Sequence, residues 1–274
     1  VGDITDYIAT ILTGMGLAAN AEGIELSIQR YTGRLPLLRA CRLWRCNAVA
    51  VISGTEWLDE ISALAASGIP CMLINTPLEG ERNGYLCSNS YHAALQMLKY
   101  VHSQGHRRIA YLGAEPPNRS YQDRMRAYGE FMESIGEAAD SLLVPPYPVG
   151  HIDGIGRDKE AGYQQTMQLL SRAPDVTAFV CANDEIAFGC YKACFDSGLR
   201  IPDDVSVVGC DDQSFAKYLS PGLTTIRMPL TYMGRRSIHI LGDYLRGKLA
   251  VLPQEHLPAE LVIRNSAASP SQGA

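Results

Sequence analysis

Two pairs of polar residues are the clearest candidates for chemistry in this chain. Asn183-Asp184 and Asp211-Asp212 each stand directly after an apolar, strand-like run. In open parallel sheets, ligands bind beyond the carboxyl ends of the strands, and a carboxylate beside an amide suits a polyhydroxylated ligand. For Asp184 and Asp212 we favour capping of a helix or turn. For Asn183 and Asp211, ligand binding and capping stand even on position alone.

Other arrangements that could support catalysis or hold a metal are weak. Residues 14–19 fit a GxGxxA dinucleotide pattern, but they fall in a predicted helix with no strand ahead of it, so helix packing is favoured. Cys190 and Cys194 stand one helical turn apart and fit two core positions better than a metal pair. A glycine breaks the helix between His102 and His106. We therefore predict no enzyme activity, no cofactor and no metal.

Short apolar runs alternate with segments of helical period, which predicts parallel βαβ units and an α/β fold. The predicted strands are 23–29, 48–53, 70–75, 108–113, 177–181, 205–209 and 257–263. The predicted helices are 7–20, 93–104, 158–172, 184–197 and one that Pro229 opens. Residues 113–120 and 144–148 are the clearest breaks, so we expect two subdomains of similar size.

The composition excludes several classes of protein. Of the 274 residues, 46% are hydrophobic and 19% charged, which excludes a disordered chain. The net charge of -5 argues that this polypeptide does not itself bind a nucleic-acid backbone, which would need a clustered basic face. Apolar runs are too short to span a membrane. Eight cysteines in a chain of this length indicate a reduced, cytoplasmic protein. The segment 1–7 has no secretory signal and no initiator Met, so either a leader was removed or the sequence is a fragment.

Five motifs resemble the effector-binding core of the LacI/GalR family of bacterial transcription regulators, in the order and approximate spacing of that family. They are GHRRIAYLG at 105–113, AFVCANDEIAFG at 178–189, GLRIPDDVSVVGCDD at 198–212, PGLTTIR at 221–227 and ELVIRNS at 260–266. The resemblance covers most of the chain from about residue 70 to residue 266.

The resemblance implies two similar parallel-sheet, Rossmann-like lobes of the periplasmic-binding-protein type, joined by three crossings, with a small effector in the cleft between them. The crossings are expected near 114–117, 227–229 and 250–253. The implied first lobe is 1–115 plus 229–250, the second lobe is 116–228 plus 251–266, and 267–274 is a tail.

Positions that match the family's effector contacts are Asn183, Asp211 and Arg124. Arg157 falls where relatives often place an aromatic platform for a sugar ring. Two guanidiniums in one site would favour a carboxylated or phosphorylated effector, because Arg binds such groups bidentately. The alternative, which we favour slightly, is that Arg157 points to solvent in an ordinary charged helix start.

Some positions depart from the family pattern. Ser88 stands where relatives commonly have Asp, and Met228 stands where several have a Gln that helps to hold the effector. Both changes leave the identity of the ligand open. Tyr85, Tyr91 or Tyr121 would supply a stacking surface.

The implied function is the regulatory core of a transcription factor, a repressor, that senses a sugar, sugar phosphate or sugar acid. Such a core forms a homodimer, for which the helices at 7–20 and 93–104 are candidate interface elements. It meets operator DNA through an N-terminal helix-turn-helix domain that this chain lacks. The alternative is an extracytoplasmic sugar-binding protein of a transport system, which shares the lobes. An α/β enzyme is disfavoured because no catalytic set converges.

Overall fold

The structure, a computed structural model, describes residues 5–52, 57–78, 83–113, 119–138, 142–143 and 157–270. The chain divides into two compact units, each made from two stretches of sequence. The first unit contains Val1–Ser88 and Pro229–Pro258, and the second contains Asn89–Met228 and Ala259–Ala274. Each unit has its own sheet with helices, so the predicted α/β class is confirmed.

The first unit has a parallel sheet in the order β1-β2-β3-β8. Its central strand β2 is buried along its whole length, as expected of an apolar run that helices cover on both faces. The strands are β1 (Val49–Ile52), β2 (Cys71–Ile74), β3 (Asn83–Ser88) and β8 (Gln254–Leu257). The helices are α1 (Asp6–Glu22), α2 (Leu37–Leu43), α3 (Leu58–Ala66) and α8 (Leu230–Leu245).

Helices α1 and α8 pack closely because glycines lie at their crossing. A Cβ added at Gly14 would overlap the backbone carbonyl of Thr231, and one added at Gly234 would overlap the carbonyl of Ile11. The GxGxxA-like segment therefore lies inside α1 and serves helix packing, as favoured from the sequence.

The second unit has a sheet in the order β4-β5-β6-β7-β9, parallel except for the antiparallel pair β7-β9. Helices α6 and α7 also meet through glycines, Gly162 and Gly189. The strands are β4 (Ile109–Leu112), β5 (Ala178–Cys181), β6 (Ser206–Asp211), β7 (Thr224–Arg227) and β9 (Glu260–Val262). The helices are α4 (Ser90–Ser103), α5 (Arg119–Ser134), α6 (Arg157–Arg172) and α7 (Asp184–Asp196).

Two predicted strands differ from the structure. The predicted strand 257–263 is two short strands in different sheets, because β8 pairs with β3 and β9 pairs with β7 on either side of Pro258, which cannot donate a backbone hydrogen bond. The predicted strand 23–29 is not a strand. Gly23 ends α1 in a left-handed conformation, and none of the described strands pairs with the residues after it.

The boundaries of the units also differ from the predicted crossings at two of three points. The division at Met228–Pro229 falls within the predicted 227–229. The first division falls at Ser88–Asn89 because α4 packs against α5 and β9 of the second unit. The third falls after Pro258 because β8 completes the first sheet. The predicted crossing at 114–117 lies outside the described residues.

Several smaller expectations are settled by burial and hydrogen bonds. Cys190 and Cys194 are fully buried core residues. His106 is buried, with Nδ1 3.0 Å from Thr177 Oγ1 and Nε2 2.8 Å from the carbonyl oxygen of Ala268. That contact places part of the predicted tail in the second unit, where Ala268 also bonds Ser206. None of the described helices is long and apolar enough to cross a membrane.

Candidate functional site

Polar side chains converge at the carboxyl ends of the strands in the second unit. Asn183 follows β5 and is the N-cap of α7, and Asp211 is the last residue of β6. The other members come from helices, Tyr121 and Arg124 from α5 and Asp158 from the first turn of α6. We call these five residues the strand-end cluster.

Asn183 connects three parts of the strand-end cluster. Its Oδ1 accepts a hydrogen bond of 2.8 Å from the backbone N–H of Ile186, which caps α7. Its Nδ2 donates to Tyr121 Oη at 2.6 Å and to Asp158 Oδ2 at 2.5 Å. Tyr121 Oη also donates to Asp158 Oδ2 at 3.1 Å. Asn183 therefore caps a helix and joins the cluster at the same time.

Arg124 brings a buried positive charge into the cluster. Its guanidinium donates to the backbone carbonyl of Ala182, and Nη2 lies 3.8 Å from Asp211 Oδ1. The side chain is only 5% exposed, and its Nε has no hydrogen-bond partner among the described residues. A buried N–H without an acceptor is costly, so this unsatisfied donor sets Arg124 apart from an ordinary structural arginine.

Asp211 has an unusual backbone conformation and a raised pKa. Its φ of 117° and the φ of 51° at Asp212 both lie in the left-handed region that residues other than glycine rarely adopt. Strained backbone of this kind concentrates at functional sites. Burial raises the pKa of Asp211 to about 7, because this effect and the charges of Asp158 and Glu185 outweigh the lowering by Arg124. The carboxyl group can therefore accept or donate a hydrogen bond near neutral pH.

Asp184 and Asp212 have structural partners, in line with the interpretation favoured from the sequence. Asp184 is fully buried and accepts hydrogen bonds from the backbone N–H of Gln213 at 2.7 Å and from Thr225 Oγ1 at 2.6 Å. Burial, followed by the charge of Asp211, raises its pKa well above the ordinary value. Asp212 binds two arginines instead, and both carboxylates brace the loop after β6.

The structure brings together four of the residues predicted for the site: Tyr121, Arg124, Asn183 and Asp211. Arg157 is the partly buried first residue of α6, next to Asp158 in the chain. Met228 is buried and directly follows β7.

Ser88 belongs to the first unit, where it ends β3. Its backbone N–H and its hydroxyl both donate to Asn75 Oδ1, at 3.0 and 3.2 Å, and Asn75 Nδ2 donates to Tyr7 Oη. Asn75 follows β2 and has a φ of 53°. Asn75 and Asp158 were not predicted from the sequence as site residues. The available signal was position, since each stands at the end of a predicted strand or the start of a predicted helix.

No group of three or more His, Cys, Asp or Glu among the described residues is arranged to hold a metal ion. What the strand-end cluster offers is a set of hydrogen-bonding groups: amide, carboxyl, phenol and guanidinium. Such a set recognises hydroxyl groups and fixes the orientation of a ligand.

Comparisons with known proteins place the chain among related sequences. Residues 98–267 match the model of the periplasmic binding protein-like domain. The transcriptional regulator GalR of Escherichia coli K12 is 28% identical over 235 residues, which is 83% of this chain and 64% of GalR. The regulator CelR of Thermobifida fusca is 28% identical over 268 residues, 95% of this chain and 76% of CelR. This chain thus spans less than two thirds of the length of GalR.

Solved structures share the fold. A LacI family transcriptional regulator from Enterococcus faecium, with bound ribose, superposes with a TM-score of 0.84 at 23% identity, covering 98% of this chain and 97% of that one. A complex of the regulator CelR with cellobiose superposes with a TM-score of 0.81 at 24% identity, covering 96% and 79%.

Proposed function

We propose that this chain is the effector-sensing core of a DNA-binding transcriptional repressor. It belongs to the LacI/GalR family and carries the periplasmic binding protein-like domain of that family. The named relatives are transcriptional regulators, which favours this function over the transport receptor considered from the sequence. Such a core acts in the cytoplasm as a homodimer, and a separate part of the full regulator reads the operator.

The observation that carries the proposal is the strand-end cluster of the second unit. Asp211 and Asn183 present a carboxyl and an amide beyond adjacent strands, and Arg124 holds an N–H without a described partner. Hydroxyl groups of a sugar would complete these hydrogen bonds, with Tyr121 as a flat surface for the ring. The sugars in the related structures, ribose and cellobiose, support the same ligand class.

The charge of the effector is a finer part of the proposal. Asp158 and Asp211 share the cluster with Arg124, so the fixed charges there do not sum to a strong anion site. This balance favours a neutral sugar over a sugar phosphate or sugar acid. Arg157 would reverse that preference if its guanidinium reached the ligand.

Effector binding would control the affinity for operator DNA by shifting the equilibrium between two conformations of the protein. A ligand that binds one conformation more tightly moves the equilibrium by no more than its differential affinity. The dimer then presents its two DNA-reading parts in a different arrangement, which changes operator affinity.

A thermal-shift screen of sugars, sugar phosphates and sugar acids tests this function. A ligand at about 100 times its Kd stabilises the folded chain by roughly 2.7 kcal/mol, which raises Tm measurably. We expect Asp211→Asn to abolish the shift of the best ligand. Asp175→Asn is the matched control, because Asp175 is an exposed carboxylate of the same unit that binds only Arg108 among the described residues.

Three results of this screen would contradict different parts of the proposal. A shift that survives in Asp211→Asn, in protein whose circular dichroism matches the parent, would place the ligand elsewhere. Chemical conversion of the bound sugar would show that the protein is an enzyme. Equal affinity for a neutral sugar and its phosphate would remove any role for Arg157 in selecting charge.

A further inference from the structure

One segment of the first unit is strongly basic, although the chain as a whole is acidic. Residues 26–55 contain five arginines and no aspartate or glutamate, in a chain of net charge -5. All five side chains are exposed. We call this set the arginine face; its members are Arg30, Arg34, Arg39, Arg42 and Arg45.

The packing of α2 explains why these arginines face solvent. Leu37 and Cys41, one helical turn apart, are buried in a cluster with Ile61 and Leu64 of α3. Residues three apart lie on one side of a helix, so Arg39 and Arg42 share the exposed side of α2 and Arg45 follows them past its end. The core of the first unit therefore fixes the position of the basic side chains.

The arginine face has no counter-ion within the part of the chain that the structure describes. None of its five members forms an ion pair with another described residue. The carboxylate of Glu60 on α3 accepts hydrogen bonds from the backbone N–H of Leu37, at 2.5 Å, and from Tyr31 Oη. By contrast, the exposed arginines 119, 126 and 200 of the second unit all pair with aspartates.

We infer that the arginine face binds the phosphate backbone of duplex DNA. Arg contacts phosphates bidentately, and duplex DNA carries one negative charge per ~1.7 Å of its axis, enough to meet several clustered guanidiniums at once. Such contacts are independent of base sequence. The net charge of -5 suggested that this polypeptide has no such surface, because composition averages over both units.

DNA fits the arginine face better than an acidic protein does. A stable protein partner needs a desolvated apolar centre in the interface. In the same stretch the described exposed large apolar side chains are Ile28, Leu35, Leu43 and Trp44, which alternate with the arginines, whereas a phosphate backbone needs no apolar centre. The choice of duplex DNA also rests on the proposed function, which places this core beside an operator.

Fluorescence anisotropy of a labelled duplex of non-operator sequence tests the inference on the full chain. We expect binding that weakens with salt, with a slope of log K against log salt near -0.9 for each phosphate contacted. In the triple variant Arg39→Gln, Arg42→Gln, Arg45→Gln, affinity at low salt should fall at least about tenfold and the slope should shrink by about 0.9 for each lost contact.

The control is a second triple variant, Arg119→Gln, Arg126→Gln, Arg200→Gln, which removes the same charge from exposed, ion-paired arginines. It should bind the duplex as the parent does. Equal losses in both triple variants would show a net-charge effect and overturn the inference, and so would the absence of duplex binding at low salt. Stronger competition by polyglutamate, single-stranded DNA or RNA than by duplex would overturn it too.

Sugar binding distinguishes this inference from the proposed function. The thermal shift of the best sugar should persist in the arginine-face variant, because the strand-end cluster lies in the other unit. Loss of duplex binding with an intact sugar shift supports the inference. Duplex binding that depends on these arginines in a chain that binds no sugar would refute the effector site and leave the arginine face standing.

Discussion

The two units share an architecture but differ in the charge of the residues that follow their strands. In the first unit the residues after β2 and β3 form a neutral network, in which Asn75 binds Ser88 and Tyr7. In the second unit the ionisable Asp211 ends β6 and pairs with Arg124 of α5, and both side chains are buried.

That difference has an energetic consequence. Removing a neutral hydrogen-bonded group from water costs much less than removing a charge. Burial raises the pKa of Tyr121, Asp184 and Asp211 in the second unit, so part of its folding free energy depends on their protonation. The second unit thus gives up stability for groups that can bind a ligand, and the first does not.

The largest expected effect is the pH dependence that Asp211 adds to stability. Its pKa is about 7 in the folded chain and ordinarily 3.8, so the folded state binds the proton more tightly. The contribution is fully present below about pH 4 and is lost as pH rises to about 7, an effect of roughly 4 kcal/mol. Urea unfolding from pH 4 to 8 should show this slope, and Asp211→Asn should reduce it to the part that the other buried carboxyl, Asp184, contributes. A slope that Asp211→Asn leaves unchanged would contradict the assignment.

The second expected effect lies in what the two units share, the glycines where paired helices meet. In Gly14→Ala and Gly162→Ala the new methyl group would overlap the backbone carbonyls of Thr231 and Ile186. Backbone cannot yield as a side chain does, so each variant should lose about 2 to 3 kcal/mol of unfolding free energy. Equal costs in both units, without pH dependence, would show that helix packing is common to them and that charge is not.

One glycine of α1 and one of α5, a helix of the second unit, lack such contacts and are the controls. Nothing described lies within 4 Å of a Cβ added at Gly16 of α1 or Gly129 of α5. Alanine there should stabilise by up to about 1 kcal/mol, through helix propensity alone. Destabilisation by Gly16→Ala equal to that of Gly14→Ala would show that the close approach of α1 and α8 has no energetic weight.

The sequence predicted those strands whose own residues are apolar, and it missed strands whose formation depends on pairing with distant residues. Strands β1, β2, β4 and β5 are continuous apolar runs and were placed correctly, as was the largely apolar β6, which also located Asn183 and Asp211 at strand ends. Strand β3 contains Asn83 and Gly84 and was missed, because its strand state comes from pairing with β2 and β8.

The contacts within the strand-end cluster could not be predicted for the same reason. Asn183 meets Asp158 across 25 residues of sequence and Tyr121 across 62, distances at which spacing holds no information about contact. The resemblance supplied Arg124 as a candidate. Only the structure shows that its Nε has no hydrogen-bond partner among the described residues.

A smaller expected effect tests the neutral network of the first unit. Asn75→Ala removes the acceptor of two hydrogen bonds from Ser88 and places alanine at a φ of 53°. The cost should be about 1 to 3 kcal/mol and should not vary between pH 4 and 8, since no charge is involved. Asn75→Gly, which accepts that φ without strain, separates the backbone part from the hydrogen bonds. A pH-dependent cost would break the contrast between the two units.

The smallest expected effect tests, inside the second unit, whether a buried ion pair contributes more to stability than an exposed one. Arg227 and Arg264 both bind Asp212, at 2.7 and 2.5 Å, but the Arg227 side chain is 50% exposed and the Arg264 side chain 17%. Solvent screens the first pair, so Arg227→Gln should cost no more than about 1 kcal/mol.

Arg264→Gln is the matched variant and should cost more, about 2 to 3 kcal/mol, because it also removes a 2.7 Å bond to the carbonyl of Leu223 and leaves Asp212 with one exposed partner. Chemical unfolding of both variants in 1 M salt should shrink the Arg227 effect and largely spare the Arg264 effect, since screening acts mainly on exposed pairs. Equal costs would mean that exposed charge stabilises the second unit as much as buried charge does.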